Sequence, residues 1–307
     1  PFYRGRPPAF ARVRYVVVPD DRERLAMVLG GRAQAADRVP PGEIEPLRGR
    51  TDVRLVTRPS LRILFLVLRP DRAPFSDPRV REAIDLALDR DRLVQRALGG
   101  QGQPASQVVP AAVVGHDADL LVTRPDPERA RALLAAAGLK PGSELRLDGT
   151  NNRYVGDAEL LDEVARQLGG VGLRVRVQAL DKGAFFRLVE AERSDFYLLG
   201  WLCESGSASD VLGSLLHSRQ PGGLGAYNTL GLADDELDRL IEAAESSTLP
   251  DQRALQLRRA VRRVHQLRVT LPLVQPNQAV LLSRRLAWDP PTQLFLRAEH
   301  MRPAAGK

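Results

Sequence analysis

Cysteine is nearly absent from this 307-residue chain: Cys203 stands alone, so neither an internal disulfide nor a cysteine-based zinc site can form within one copy. Histidine is scarce too. His116, His217, His265 and His300 lie far apart and lack HxxxH or HxH spacing, which leaves a metal site little support. Aromatic residues make up 5% of the chain, and no apolar stretch approaches the roughly 18 residues that a membrane-spanning helix needs. Gly222-Gly223-Leu224-Gly225 lacks the Lys-Ser/Thr of a phosphate-binding loop, and no GxGxxG, nucleophile elbow or metalloprotease helix occurs. An enzyme would need a triad assembled from distant segments, so we expect a non-enzyme with no cofactor, no catalytic residues and no metal.

Positive charge is plentiful. Forty-five Lys and Arg against 38 Asp and Glu leave +7, which raises the question of nucleic acid. The cations are scattered, often beside acids, with few aromatics between them, whereas nucleic-acid surfaces cluster cations with stacking partners. A solvated arginine-rich surface without nucleic acid is expected. At 43% apolar, the chain can fold, and its length exceeds what a single core usually holds, so two lobes are expected.

Helix signals recur. Asp77 can cap a helix whose first position, Pro78, costs no N–H, and Val80, Ala83, Ile84, Ala87 and Leu88 then fall on one face. Asp89 can cap a further helix through Leu98, with Gly99-Gly100 as a left-handed stop. Asp126-Pro127 repeats the device, Asp20 or Asp21 opens a helix to Leu29, Ser209 one to His217, and Asp234 another; 251–266 reads as the last. Strands are expected over 11–18, 53–56, 61–68, 269–274 and 279–282. Between Glu144 and Trp201 the pattern alternates strand, helix, strand, helix, strand, which means right-handed crossovers and a parallel sheet. Ligands of such sheets bind outside the carboxyl ends of the strands. That rule singles out 150–154 and 201–209.

The run PFSDPRVREAIDLALDRDRLV…GGQGQPA, from Pro74, resembles the signature segment of the family 5 extracellular solute-binding proteins, the peptide, dipeptide and nickel receptors of ABC importers. Further matches follow in family order, from Arg4-Gly5-Arg6-Pro7-Pro8 through Gly200-Trp201 and Glu236–Ile241 to Leu271-Pro272-Leu273. The resemblance implies an α/β, periplasmic-binding-protein-like (class II, family 5) two-lobe fold: a partial first lobe, 1–68 and 270–307, and a parallel-sheet second lobe, 69–269. Family members carry a long N-terminal portion before the segment that Pro1–Gly5 resembles; the chain, opening at Pro1, reads as a mature fragment without it. In the family the run 61–68 ends in an Asn, and here Arg69 stands there.

In oligopeptide-binding relatives the third residue after the Trp is an Asp that receives the peptide amine, and Glu204 occupies that place after Trp201. The Arg three residues before the Trp is Leu198 here. A carboxylate at a strand end suits a ligand ammonium, and an indole supplies an apolar wall with cation–π attraction. Tyr227 and Asn228 match a short polar motif near the ligand in relatives, and Asn151 and Asn152 follow the first strand. The expected ligand-binding set is therefore Trp201, Glu204, Tyr227, Asn228, Asn151 and Asn152; Asp238, mid-helix, is expected in a structural ion pair or cap contact. The resemblance implies a monomeric solute-binding component that takes oligopeptides, dipeptides or a related amine-bearing solute in an interlobe cleft, with ABC permease transmembrane subunits as partners. Its place would be periplasmic or extracellular, at the membrane through the transporter. A non-transport adaptor or scaffold, and nickel as a further ligand, are the alternatives.

Overall fold

The Asp20 carboxylate accepts from the Glu23 N–H at 2.7 Å and opens α1 (Asp21–Leu29), as its place before an apolar-periodic run predicts. The computed structural model, which describes residues 9–221, 223–288 and 296–304, continues with β1 (Ala35–Ala36), α2 (Pro41–Arg48) and β2 (Val53–Pro59). The expected family matches at 1–8, and Gly222 of the glycine-rich stretch, lie outside the described residues. β1 and β2 both pair antiparallel with residues 277–283. Leu25, Val28, Ile44 and Leu47 pack on Ala279 and Leu281, while the alternate residues Val280 and Leu282 pack on Trp288 and Met301. Period-two alternation thus feeds two clusters from one strand.

The strand expected over 11–18 does not form. Among the described residues this stretch pairs with no strand, and Val13, Tyr15, Val16 and Val17 are exposed. Alternation prepares a segment for a ladder, but a ladder needs a neighbour with N–H and C=O groups to offer.

β3 (Arg62–Leu68) is apolar from Ile63 onward because both of its faces are buried there. Leu64, Leu66 and Leu68 face one cluster, with α3 (Pro78–Ala87), α4 (Arg90–Leu98) and, after β4 (Gly102–Pro104) and α5 (Pro127–Ala136), the later α6. Asp77, Asp89 and Asp126 accept from Arg79, Arg92 and Arg129 N–H groups at 2.8, 3.0 and 3.0 Å, and Gly99 (φ 54°) ends α4 in the left-handed region, all as expected. Then come β5 (Glu144–Thr150), α6 (Asp157–Gly170), β6 (Arg174–Leu180), α7 (Lys182–Glu190) and β7 (Phe196–Leu202). β5 is parallel to both β6 and β7, and β7 runs antiparallel to β3. The sheet order through this region is β3-β7-β5-β6.

Beyond β7 the helix expected from Ser209 to His217 is broken: α8 covers only Ser209–Val211, and Leu212–Leu216 follow as a π-turn. The cap fails because the Ser209 hydroxyl is engaged elsewhere, by Ser207 and by the Arg253 guanidinium at 3.1 Å. α9 (Asp235–Ser246), capped by Asp234 on the Leu237 N–H at 2.8 Å, and α10 (Pro250–Leu267) cover the other face, where Ile63, Phe65 and Val67 meet Phe185, Ile241 and Val261. The two strands expected over 269–274 and 279–282 are one, β8 (Thr270–Ser283). Pro272 fits because β4 reaches only Val274 to Pro276 on that side of β8, so no ladder bond is lost to the missing N–H. β9 (Leu286–Trp288) and β10 (Met301–Pro303) form a separate antiparallel pair.

Two compact units result, Pro1–Ser60 with Asn277–Lys307 and Leu61–Pro276. The expected divisions at 68/69 and 269/270 move to 60/61 and 276/277, since β3 and the first half of β8 are ladder partners of each other.

Candidate functional site

The carboxyl ends of the parallel strands β5 and β7 carry the two loops that the sheet rule singles out. The first is tightly held. The Asp157 carboxylate, buried at the head of α6, accepts from the Thr150 hydroxyl (2.6 Å) and the N–H groups of Arg153 (3.0 Å), Tyr154 (3.1 Å) and Ala158 (3.1 Å). Gly156 has φ 76°, and a Cβ there would sit 2.6 Å from the Ala97 carbonyl oxygen, so only glycine closes this turn. Tyr154 turns inward, its hydroxyl donating to the Gly200 carbonyl (3.2 Å) and accepting from the Gly200 N–H (3.0 Å) and Arg153 Nε (3.0 Å). Gly200 is needed for that approach, because its Cβ would meet Leu64 at 2.5 Å and Tyr154 at 2.9 Å.

Two guanidiniums gather at this ring. Arg153 lies 5.3 Å from the Tyr154 centroid and 4.8 Å from that of Phe186, and Arg62 lies 5.3 Å from Tyr154. Cations over ring faces are held in place by the ring quadrupole. Asn151 and Asn152 are exposed; the Asn152 side-chain oxygen accepts from the Lys182 N–H at 2.9 Å and so closes the start of α7.

The second loop is more open. Trp201 is half-buried, and its ring meets Tyr227 edge-on, with centroids 6.1 Å apart at 64°. Tyr227 is 64% exposed. Three residues past Trp201, Glu204 is exposed, and among the described residues its carboxylate has neither hydrogen bond nor ion pair. A cavity of about 710 Å³ opens beside it, lined by Ser205, Ser207, Ser209, Asp210 and Arg253 among others. Cys203 is buried between these residues; burial pushes its thiol up to about 12, so it stays a neutral packing residue.

The structure therefore brings Trp201 and Tyr227 together and puts Glu204 and the Asn151-Asn152 pair on the loops that leave neighbouring parallel strands. Asn228 is different. It is 4% exposed, and its amide uses every position internally, donating to the His217 and Leu232 carbonyls and accepting from the Leu230 and Leu232 N–H groups. Its part is to hold the turn behind Tyr227. Arg69, at the place of the family Asn, is buried against Asp71 and Glu192 (2.7 and 3.2 Å). Arg62 and Phe186 escaped the sequence reading, because nothing in their spacing marks them, while Arg153 lies in the stretch 150–154 that the sheet rule singles out; they meet around Tyr154 only through the fold.

Residues 1–223 match the family model described as Bacterial extracellular solute-binding proteins, family 5 Middle. Among curated proteins, the probable di/tripeptide-binding protein 5 of Pseudomonas aeruginosa is 26% identical over 287 residues, which is 91% of this chain and 53% of that protein. The glutathione-binding protein GsiB of Escherichia coli (strain K12) is 27% identical over 252 residues, 80% of this chain and 48% of that one. Among solved structures, Helicobacter pylori DppA in complex with the peptide STSA superimposes with a TM-score of 0.84 at 18% identity, over 93% of this chain and 56% of that one. Staphylococcus aureus NikA in complex with Ni(L-His)2 gives 0.79 at 14%, over 94% and 61%. At such identities the structural likeness speaks for the fold alone. The chain spans about half the length of the curated relatives it matches.

Proposed function

The chain belongs to the family 5 bacterial extracellular solute-binding proteins, and on that premise we propose that it receives a small peptide or related amine-bearing solute at the strand ends of its larger unit, for delivery to the transmembrane subunits of an ABC permease. One observation carries the reading: the Glu204 carboxylate stands exposed and, among the described residues, without a protein partner, just past the Trp201–Tyr227 ring pair. An unengaged carboxylate can accept a charge-assisted hydrogen bond from an ammonium group, and the rings supply an apolar wall for the first side chain. Arg153, clamped between Tyr154 and Phe186, adds a fixed cation on the neighbouring loop. The names of the curated relatives, di/tripeptide-binding and glutathione-binding, support the same class of solute.

The test is calorimetry on the full gene product with trialanine, mixed dipeptides and glutathione. Glu204→Gln should weaken a free-amine peptide by about tenfold, the worth of one charged hydrogen bond, and leave its N-acetylated form unaffected. Equal affinity of wild type and Glu204→Gln for the free-amine peptide would remove Glu204 from the site.

A further inference from the structure

The cavity beside Glu204 holds a second carboxylate that no protein cation answers among the described residues. Ser205 and Asp210 enter it from the loop after β7, Ser214 from the π-turn, and Glu245 and Arg253 from the last turn of α9 and the first of α10. All of them belong to the larger compact unit. At about 710 Å³ the cavity falls within the roughly 300–1,000 Å³ of pockets that take whole small ligands. The Ser214 carbonyl accepts from the Tyr227 N–H at 2.9 Å, so its wall and the Trp201–Tyr227 ring pair share a backbone bond.

Of the charged side chains that line it, Arg253 and Glu245 answer each other. The guanidinium lies 3.5 Å from a Glu245 carboxylate oxygen and donates to the Ser209 hydroxyl at 3.1 Å. Asp210 is left over. Its carboxylate accepts from the Ser205 N–H at 3.0 Å through Oδ2, and among the described residues no other donor and no Lys or Arg reaches it, so Oδ1 keeps its full capacity. The Ser214 hydroxyl likewise carries no bond there, and its oxygen has lone pairs for an incoming donor. Val114 and Leu224 add apolar wall. A lone carboxylate in a recess is costly unless a cation meets it. A metal cage wants several oxygen ligands, and among the described residues no three metal-ligating side chains gather. An ammonium on an apolar stem fits: it brings three N–H donors for Asp210 and the hydroxyl oxygens, and methylenes for Val114 and Leu224.

We propose that this cavity is a side-chain subsite for a lysine near the amino end of the solute, with Asp210 receiving the side-chain ammonium while Glu204 receives the terminal one. The two carboxylates stand six positions apart on one loop, so a doubly charged amino end meets one anion per cation. The subsite rests on reading Glu204 as the receiver of the amine, but the two carboxylates answer to different ammonium groups and can be tested apart.

Calorimetry on the full gene product compares Lys-Ala-Ala and Ala-Lys-Ala with the same peptides carrying norleucine, which keeps the side-chain carbons and removes the ammonium. One of the two lysine peptides should bind about tenfold more tightly than its norleucine counterpart, the worth of one charged hydrogen bond. Asp210→Asn should abolish that preference, and so should Ser214→Leu, which fills the cavity without removing a side-chain bond. Glu204→Gln should weaken the lysine and norleucine peptides together and keep their ratio. A lysine preference that vanishes in Asp210→Asn but owes nothing to Glu204 would uphold the subsite and remove the amine reading. Equal binding of lysine and norleucine peptides that still depends on Glu204 would overturn the subsite and leave the amine reading standing. A preference that survives Asp210→Asn would also overturn the subsite, and no binding of these peptides or of trialanine would overturn both.

Discussion

The loops after β5 and β7 leave neighbouring parallel strands, yet one is closed on itself and the other is open. After β5, one buried carboxylate gathers a hydroxyl and three N–H groups, a glycine closes the turn, and Tyr154 locks onto Gly200 across the sheet. After β7, Glu204 stands exposed with no partner among the described residues, and the largely exposed ring of Tyr227, from a later turn, packs beside Trp201. Where most polar groups are engaged, a loop holds its shape and what it presents, here Arg153 and the exposed Asn151; unspent hydrogen-bonding capacity at the mouth of a sheet is what a ligand can use.

The sharpest way to break this contrast is to empty the first loop. Asp157→Ala strands four donors around a buried site and should cost on the order of 3 kcal/mol in urea unfolding, with solute affinity falling as the loop loses its shape. Gly200→Ala is next. Its new methyl cannot avoid Leu64 or Tyr154, both buried, so about 1–3 kcal/mol should be lost, and a Leu64→Ala second change should recover part of it.

The floor of the first loop is also sensitive to pH. Burial raises the Asp148 carboxyl despite the Ser194 hydroxyl and Arg146, so the folded state favours its neutral form. A raised carboxyl adds stability below its unfolded value, near pH 4, and loses it as pH climbs through the folded value. Urea midpoints of wild type and Asp148→Asn, compared at pH 4 and pH 7, should shift in favour of the variant at the higher pH. The smallest effect belongs to the second loop: Glu204→Gln should leave stability within about 0.5 kcal/mol while changing solute affinity, since among the described residues no bond uses that side chain. A large loss of stability would mean that Glu204 supports rather than receives.

Much of the larger unit was legible residue by residue. Each aspartate cap before an apolar stripe announced a helix, because a short carboxylate next to orphan N–H groups has one favourable use. The alternation from Glu144 to Trp201 announced parallel strands and, through them, which ends would carry a site. Two expectations failed where a distant partner decides: among the described residues the stretch 11–18 finds no strand to pair with, and Ser209 caps nothing because Arg253 takes its hydroxyl. Asn228, set among the ligand residues by its motif, is buried and bonded within its own turn.

Local chemistry in the chain itself determined the aspartate-capped helix starts, the strand-helix alternation and the lone inert thiol, since caps and periodicity act over a few residues, whereas the candidates Trp201 and Glu204 came from the strand-end rule and the family resemblance. Tertiary structure alone decided that Arg62, Arg153, Tyr154 and Phe186 meet, that Asp210 and Arg253 line one cavity, and that Tyr227 rather than Asn228 faces out. Those arrangements join residues from one position apart, Arg153 and Tyr154, to about ninety apart, Arg62 and Tyr154, and side chains brought together across a sheet leave no spacing in the sequence by which to find them.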